Sequence, residues 1–297
     1  MTAPHSTAIL ASPDRRQWLR AGALAALGMV GLNSQADELT DLAKVRASGT
    51  LKVALYKDNA PYSDGNPQDM HGVDVALAQA LAAGLGLKLS LLPFDAGERM
   101  EDDLRNMVWK GHYLGYGPAD VLLHVPVDKF LIQDNRQALI FAPYSREVLV
   151  VFHSRTRVPH VQSGDDLAGQ PLAAERGSGA ASSLMGYGEG KLRNQVRIFN
   201  TGLQAADAVV RGEVAAAYVS RAQAEAALHA AQKTASDFGM TQLGLPGLTD
   251  NGWPIGMAVK SNHKALAQAL EDALGQMRAS GQLAALYRER GLTLVTP

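Results

Sequence analysis

The chain has 297 residues, 46% of them apolar, and a formal net charge of −1. That length accommodates two ordinary domains with a sizeable core in each, and the near-neutral balance gives no electrostatic basis for a nucleic-acid or anionic-membrane partner. The absence of cysteine excludes disulfides, thiolate metal sites, c-type haem attachment and a cysteine nucleophile, and no two histidines stand in H-x-H or H-E-x-x-H spacing, so no metal or other cofactor is expected.

The N-terminus reads as an export signal. Asp14-Arg15-Arg16-Gln17-Trp18-Leu19-Arg20 precedes the apolar run 21–32, and Ser34-Gln35-Ala36 puts small residues where a signal peptidase reads. The paired arginines followed by an aromatic residue and leucine resemble the twin-arginine signature, with Trp18 in place of the usual phenylalanine. Residues 1–36 are therefore expected to be a signal peptide, with a mature chain starting near Asp37 in the periplasm. No later stretch of about 20 apolar residues occurs, so no helix spanning a bilayer is expected.

Beyond the signal, short apolar runs alternate with helical spacing. LKVAL (51–55) predicts a strand, and Val73, Leu77 and Leu81 give one helical face. Strands follow at 89–92, 121–125 and 148–152. The rhythm restarts with a strand at 171–174, a helix after Gly179, a strand at 196–199, a helix from Leu203, a strand at 216–219 and a helix from Ala222. Leu266, Leu270, Leu274 and Met277 share a face of a closing helix, which a shorter one follows through Leu283 and Leu286. The reading is two α/β units in series, with parallel sheets flanked by helices. Arg176-Gly177-Ser178-Gly179 follows a strand and opens a helix. It lacks the third glycine of a dinucleotide fingerprint and the lysine of a P-loop, leaving either an anion or carboxylate site at free backbone N–H groups or a tight turn with Ser178 as cap.

A specific resemblance covers nearly all of residues 49–292. GTLKVALYKDNAPYS…HGVDVALAQALAAGLGLKLSLLP, from Gly49 to Pro93, resembles the opening of the family 3 extracellular solute-binding proteins of ABC transport, with "G-x-D-v-x-L" starting a helix. Phe141-Ala142-Pro143-Tyr144 resembles the family's "F-S-x-P-Y", Asp166-Leu167-Ala168-Gly169 its "D-L-x-G", and Ile255-Gly256-Met257-Ala258-Val259-Lys260 its closing segment. The resemblance implies an α/β fold of the two-lobed type II periplasmic binding class, each lobe a small sheet flanked by helices. Lobe 1 would comprise 37–149 with 255–297, and lobe 2 150–254. A ligand cleft would lie between them at the carboxyl ends of the strands.

The same alignment yields site candidates. Tyr62 follows the first strand, where family members stack an aromatic ring on the ligand. His124 ends an apolar strand and faces either the cleft or the core. Asp128 sits at the cleft mouth or on the surface, and Tyr144 belongs to the hinge. Trp253-Pro254 precedes the second crossing, where it would form the back wall. Arg176 and Ser178 are the anion candidates. Tyr218 and Ser220 lie in the segment matching "G-x-v-D-A-x-x-x-D", whose two acids, which hold a ligand ammonium in amino-acid binders, are here Ala215 and Ser220. Arg136 is near the place of the carboxylate-clamping arginine, without a secure match. The losses predict a more apolar cleft floor and no binding of free amino acids.

The other departure is the run 104–120, several residues longer than the family's lead into the third strand. With ADVLLHVPVD it resembles the quinoprotein-dehydrogenase-associated offshoot, the MxaJ- and XoxJ-type proteins of methanol oxidation. That implies a non-catalytic periplasmic accessory of a pyrroloquinoline-quinone (PQQ) methanol dehydrogenase or its cytochrome. Trp109, Lys110, His112, Tyr113 and Tyr116 would be the partner contacts; the alternative is that Trp109 packs into lobe 1 and the loop fills space. Two further readings stay open: a receptor that delivers a small solute to an ABC permease, and an enzyme in a binding-protein shell using Glu175, Arg176 and His124. No G-x-S-x-G context supports a nucleophile. A monomer is expected.

Overall fold

The computed structural model describes residues 40–245, 247 and 251–297; the expected signal peptide lies outside the described residues. Helix α1 (Asp41–Ser48) leads into strand β1 (Thr50–Tyr56), followed by a two-stranded ribbon, β2 (Asp58–Asn59) with β3 (Ser63–Asp64). Helix α2 (Val73–Gly84) returns to strand β4 (Lys88–Phe94). Helix α3 (Met100–Leu104) continues as a π-helical turn, Arg105–Trp109, before β5 (Val121–Pro126), α4 (Lys129–Asp134) and β6 (Ala138–Glu147). The chain then enters a second sheet through β7 (Leu149–Ser154), β8 (Leu172–Glu175), α5 (Gly179–Gly190), β9 (Val196–Phe199), α6 (Gly202–Val210), β10 (Ala216–Ser220), α7 (Arg221–Ala230) and β11 (Phe238–Thr241). It has returned to the first sheet by β12 (Trp253–Lys260), and closes with α8 (Lys264–Ala279) and α9 (Gln282–Arg288).

The first sheet has the order β4-β1-β5-β12-β6 and the second β11-β7-β10-β8-β9. Both are mixed, which corrects the expectation of parallel sheets. β12 runs antiparallel to β5 and β6, and β7 antiparallel to β10 and β11. The alternating rhythm reports only the βαβ portions; each lobe also carries one strand of a crossing between lobes that runs the other way, β12 in the first sheet and β7 in the second.

The cores follow the apolar periodicity. β1 is covered on both faces, which is why Leu51, Val53, Ala54 and Leu55 form a nearly unbroken apolar run. Its inner face packs with Val73, Leu77 and Leu81 of α2 and with Leu266, Leu270, Leu274 and Met277 of α8, so the C-terminal helices complete the first lobe. Each fully buried leucine contributes about 1.5–3 kcal/mol. Past α9, the tail runs back between the lobes: Arg146 N–H donates to Val295 O (2.9 Å) and Thr293 N–H to Glu225 Oε2 of α7 (2.7 Å).

Candidate functional site

A cleft of about 490 Å³ opens where the carboxyl ends of β1 and β5 face those of β8 and β10. Its base is a hydrogen-bonded network drawn from four separate elements. Asp74, in the first turn of α2, is fully buried. Its Oδ1 accepts from the Tyr144 hydroxyl at 2.9 Å, and its Oδ2 lies 2.8 Å from His124 Nδ1. The Tyr144 hydroxyl also accepts from the His124 backbone N–H at 3.0 Å. His124 reaches this position with φ of 61°, in the left-handed region. A non-glycine residue costs about 1–2 kcal/mol there, and the network opposes that cost.

The far side of the imidazole looks into the cleft. His124 Nε2 is 3.8 Å from Glu147 Oε2, and the Tyr62 ring packs on the imidazole with centroids 4.3 Å apart. Glu147, the last residue of β6, is buried and accepts hydrogen bonds from the hydroxyls of Tyr62 and Ser220. It therefore joins the first lobe to the second at the point where the chain crosses. Burial disfavours the His124 imidazolium, but Asp74 and Glu147 outweigh it and leave its pKa raised. Burial likewise raises Glu147, against the pull of His124, Tyr62 and Ser220.

Tyr62 is held by the ribbon β2–β3 folding over α2. Val73 N–H donates to Pro61 O (3.2 Å) and Asp74 N–H to Tyr62 O (2.8 Å), which satisfies the helix N-terminus with loop carbonyls. Gly72 makes this possible: its φ is +127°, and a Cβ there would sit 2.2 Å from Tyr62 O.

The second lobe brings Ser178, Ser220, Gln223 and Glu175 to the cleft. Ser178 caps α5, its Oγ accepting from Ala181 N–H at 3.1 Å. Ser220 and Gln223 form a capping box on α7. Glu175 accepts from Gly202 N–H at 3.0 Å and from the Gln223 side chain; burial raises its pKa and Asp58 of the first lobe adds to the effect. On the facing wall Asp103 accepts from Tyr56 OH (3.0 Å) and Gly97 N–H (2.8 Å) and is raised by burial.

Six of the eight sequence-derived cleft candidates belong to this region. Tyr62, His124, Ser178, Tyr218 and Ser220 line the cleft, and Tyr144 supports it from behind. Tyr218 is also tied to the Leu243 carbonyl through its hydroxyl at 3.0 Å. Two stand elsewhere. The Asp128 carboxylate caps α4, accepting from Phe130 and Leu131 N–H (both 2.9 Å), and Arg176 is exposed, away from the lining. Arg136 is also exposed and outside the lining. Trp253 lines the cleft as expected of a back wall. The apolar floor expected from Ala215 and Ser220 is corrected: Glu147 supplies a buried carboxylate from a different strand. Asp74, Glu147 and Asp103 were missed by sequence reasoning. The "G-x-D" motif contained Asp74, but an acid in a first helical turn is ordinarily explained by the helix dipole.

None of the loop residues Trp109, Lys110, His112, Tyr113 and Tyr116 lines the cleft. Trp109 ends the π-helical turn, half-buried against the outer core that contains Met107, Val108 and Phe94. His112 stacks on Tyr116 at 4.3 Å and packs against Tyr113 at the same distance, and His112 N–H closes the loop onto Tyr116 O at 2.8 Å. Lys110 is exposed, and the tip points outward with Tyr113 88% and Leu114 68% exposed.

No family model matches the chain. It is similar to the L-cystine-binding protein TcyJ of Escherichia coli K12, with 25% identity over 280 residues, covering 93% of this chain and 95% of that protein. Among solved structures it is similar to an ancestral cationic amino acid solute-binding protein (TM-score 0.65, 20% identity, 85% of this chain and 100% of that one). It is also similar to a polar amino acid ABC uptake transporter substrate-binding protein from Streptococcus thermophilus (TM-score 0.65, 15% identity, 89% of this chain and 94% of that one). The architecture is thus the two-lobed α/β fold of solute-binding proteins. Among the described residues, no helix is long and apolar enough to cross a membrane.

Proposed function

We propose that the mature chain is a periplasmic receptor that captures a small organic solute between its lobes and delivers it to an ABC permease. The observation that carries this reading is the cleft itself. It has the volume of a small-molecule site, and polar groups from both lobes and from the crossing converge at its base. The similarity to an L-cystine-binding protein over nearly the whole of both chains supports solute capture. Binding without turnover fits the same geometry, because His124 Nδ1 is committed to Asp74 and Glu147 to Tyr62 and Ser220. The test is a thermal-shift screen of the mature protein against small organic solutes. A solute at a hundred times its dissociation constant adds about 2.7 kcal/mol of stability. No shift from any solute, with no occupant in native mass spectra of freshly isolated protein, overturns the reading.

A second reading is favoured by the exposed loop tip. Tyr113 and Leu114 offer apolar surface away from the cleft, which fits an accessory contact with a PQQ methanol dehydrogenase or its cytochrome. Co-purification from the native periplasm, compared between the unaltered chain and a Tyr113→Ala, Leu114→Ala variant, tests it. Equal recovery of the dehydrogenase with both chains overturns it.

A further inference from the structure

We propose that the solute is an organic cation without a carboxylate, an amine or guanidinium compound, held between Asp58 of the first lobe and Glu175 of the second above the Glu147 floor. This rests on the receptor reading and names the chemistry of its ligand.

Among the described residues, the cleft is lined by the carboxylates of Asp58, Glu98, Asp103, Glu147 and Glu175, while Arg99 is the sole lysine or arginine. Arg99 does not offset them: its side chain is 70% exposed and its guanidinium turns to Glu101, 3.3 Å away. A cleft with walls of one sign focuses its field on the opposite charge.

The acids of the lining differ in the partners they already have. Asp103 receives a hydroxyl and an amide, and Glu147 receives two hydroxyls and faces His124. Glu175 receives neutral donors, Gly202 N–H and the Gln223 amide, and among the described residues no lysine, arginine or histidine is paired with it. Asp58 is near enough to make ionisation of Glu175 harder. Asp58 and Glu175 both line the cleft, one from each lobe, and like charges placed there are unfavourable. A cation between them converts that repulsion into attraction on both sides, which couples binding to closure of the lobes.

The lining does not suit an ordinary zwitterion. A ligand carboxylate would enter a cavity bearing five acids, with Arg99 drawn away and both Arg136 and Arg176 outside the lining. His124, the other basic residue of the lining, already faces Asp74 at 2.8 Å and Glu147 at 3.8 Å, so a desolvated anion there finds no free charged donor. Tyr56, Tyr62 and Trp253 supply aromatic surface in the same lining, suited to the methylene stem and charged head of such a cation.

The experiment compares pairs that differ only in the carboxylate: agmatine against arginine and cadaverine against lysine, with glutarate as the anionic control. Binding is measured by calorimetry on the mature protein. The expected result is that agmatine or cadaverine binds at least about tenfold more tightly than its amino-acid counterpart, and more weakly as salt is raised. Glu175→Gln should lower that affinity by about tenfold or more while the melting temperature of the free protein holds or rises. Asp58→Asn, an exposed change that keeps the fold, should weaken binding in the same direction. Arginine or lysine binding as tightly as the decarboxylated partner overturns the inference, as does preferential binding of glutarate or of a neutral solute. Those outcomes leave the receptor reading standing. Failure of every probe, with unaltered affinity for whatever other solute the screen finds in both variants, also overturns the inference. Failure of the whole screen overturns the receptor reading itself.

Discussion

Asp74 and His124, fifty residues apart in sequence, meet with 2.8 Å between Oδ2 and Nδ1, and the aspartate is fully buried. The pair turns the other face of the imidazole toward Glu147 and the cleft. A buried aspartate is costly without partners; Asp74 has the Tyr144 hydroxyl and the His124 ring, and its charge favours the protonated imidazole.

Asp74→Ala is expected to destabilise the protein by roughly 3 kcal/mol, since it leaves His124 and the Tyr144 hydroxyl without their acceptor. Asp74→Asn retains a partner for Tyr144 and should cost less. Urea denaturation of both variants checks the order; equal losses would mean that the charge contributes nothing.

Stability should fall as pH rises across the His124 transition. The folded-state pKa is raised above its ordinary 6.5, so the folded chain holds the proton more tightly than the unfolded one. That contribution is complete below about 6.5 and is lost as pH climbs through the raised value. Glu147, raised from 4.5 by burial, acts in the same direction from lower pH: the unfolded chain releases its proton first. Melting temperatures of the unaltered chain and His124→Asn, measured from pH 6 to 9, should show a smaller decline in the variant.

Gly72→Ala is expected to cost more than about 2 kcal/mol and to shift Tyr62. A methyl group there meets the Tyr62 carbonyl, and the +127° φ disfavours any side chain. Tyrosine fluorescence or a structure of the variant reports the displacement; a fully stable protein with Tyr62 unmoved would contradict this account.

The two aromatic residues of the long loop should separate in the laboratory. Trp109→Ala removes a half-buried ring from the outer core and should cost about 2 kcal/mol. Tyr113→Ala removes a ring that is 88% exposed and should change stability by less than about 0.5 kcal/mol. Thermal melts of the two single variants decide it.

Much of the scaffold was readable because burial leaves a periodic trace. Leu51–Leu55 and Val121–Val125 are apolar runs because both faces of β1 and β5 are covered, and the α2 and α8 faces repeat at helical spacing. β6 does begin with the apolar run ALIFA (138–142), but the run gives way to Pro143, Ser145 and Arg146, and buried and half-buried positions alternate along most of it, so its full length was not readable in this way. The aromatic members of the site followed from their places after strands. Its acids did not. Asp74 resembles an ordinary first-turn acid and Glu147 an ordinary strand end, and only folding across 73 positions brings both to one histidine. Asp128 and Arg176 show the converse, polar residues well placed in sequence whose side chains turn to a helix cap and to solvent.

The C-terminal tail changes what a hinge means in this protein. Motion between lobes is usually pictured as bending of the covalent crossings alone. Here Thr293 is fastened to Glu225 on α7 while Val295 is fastened to Arg146 at the end of β6. The tail therefore acts as a non-covalent strap across the back of the joint. The lobes can part only by an arc that keeps both fastenings or by undoing one of them, so two hydrogen bonds of the tail join the covalent crossings in resisting any such parting.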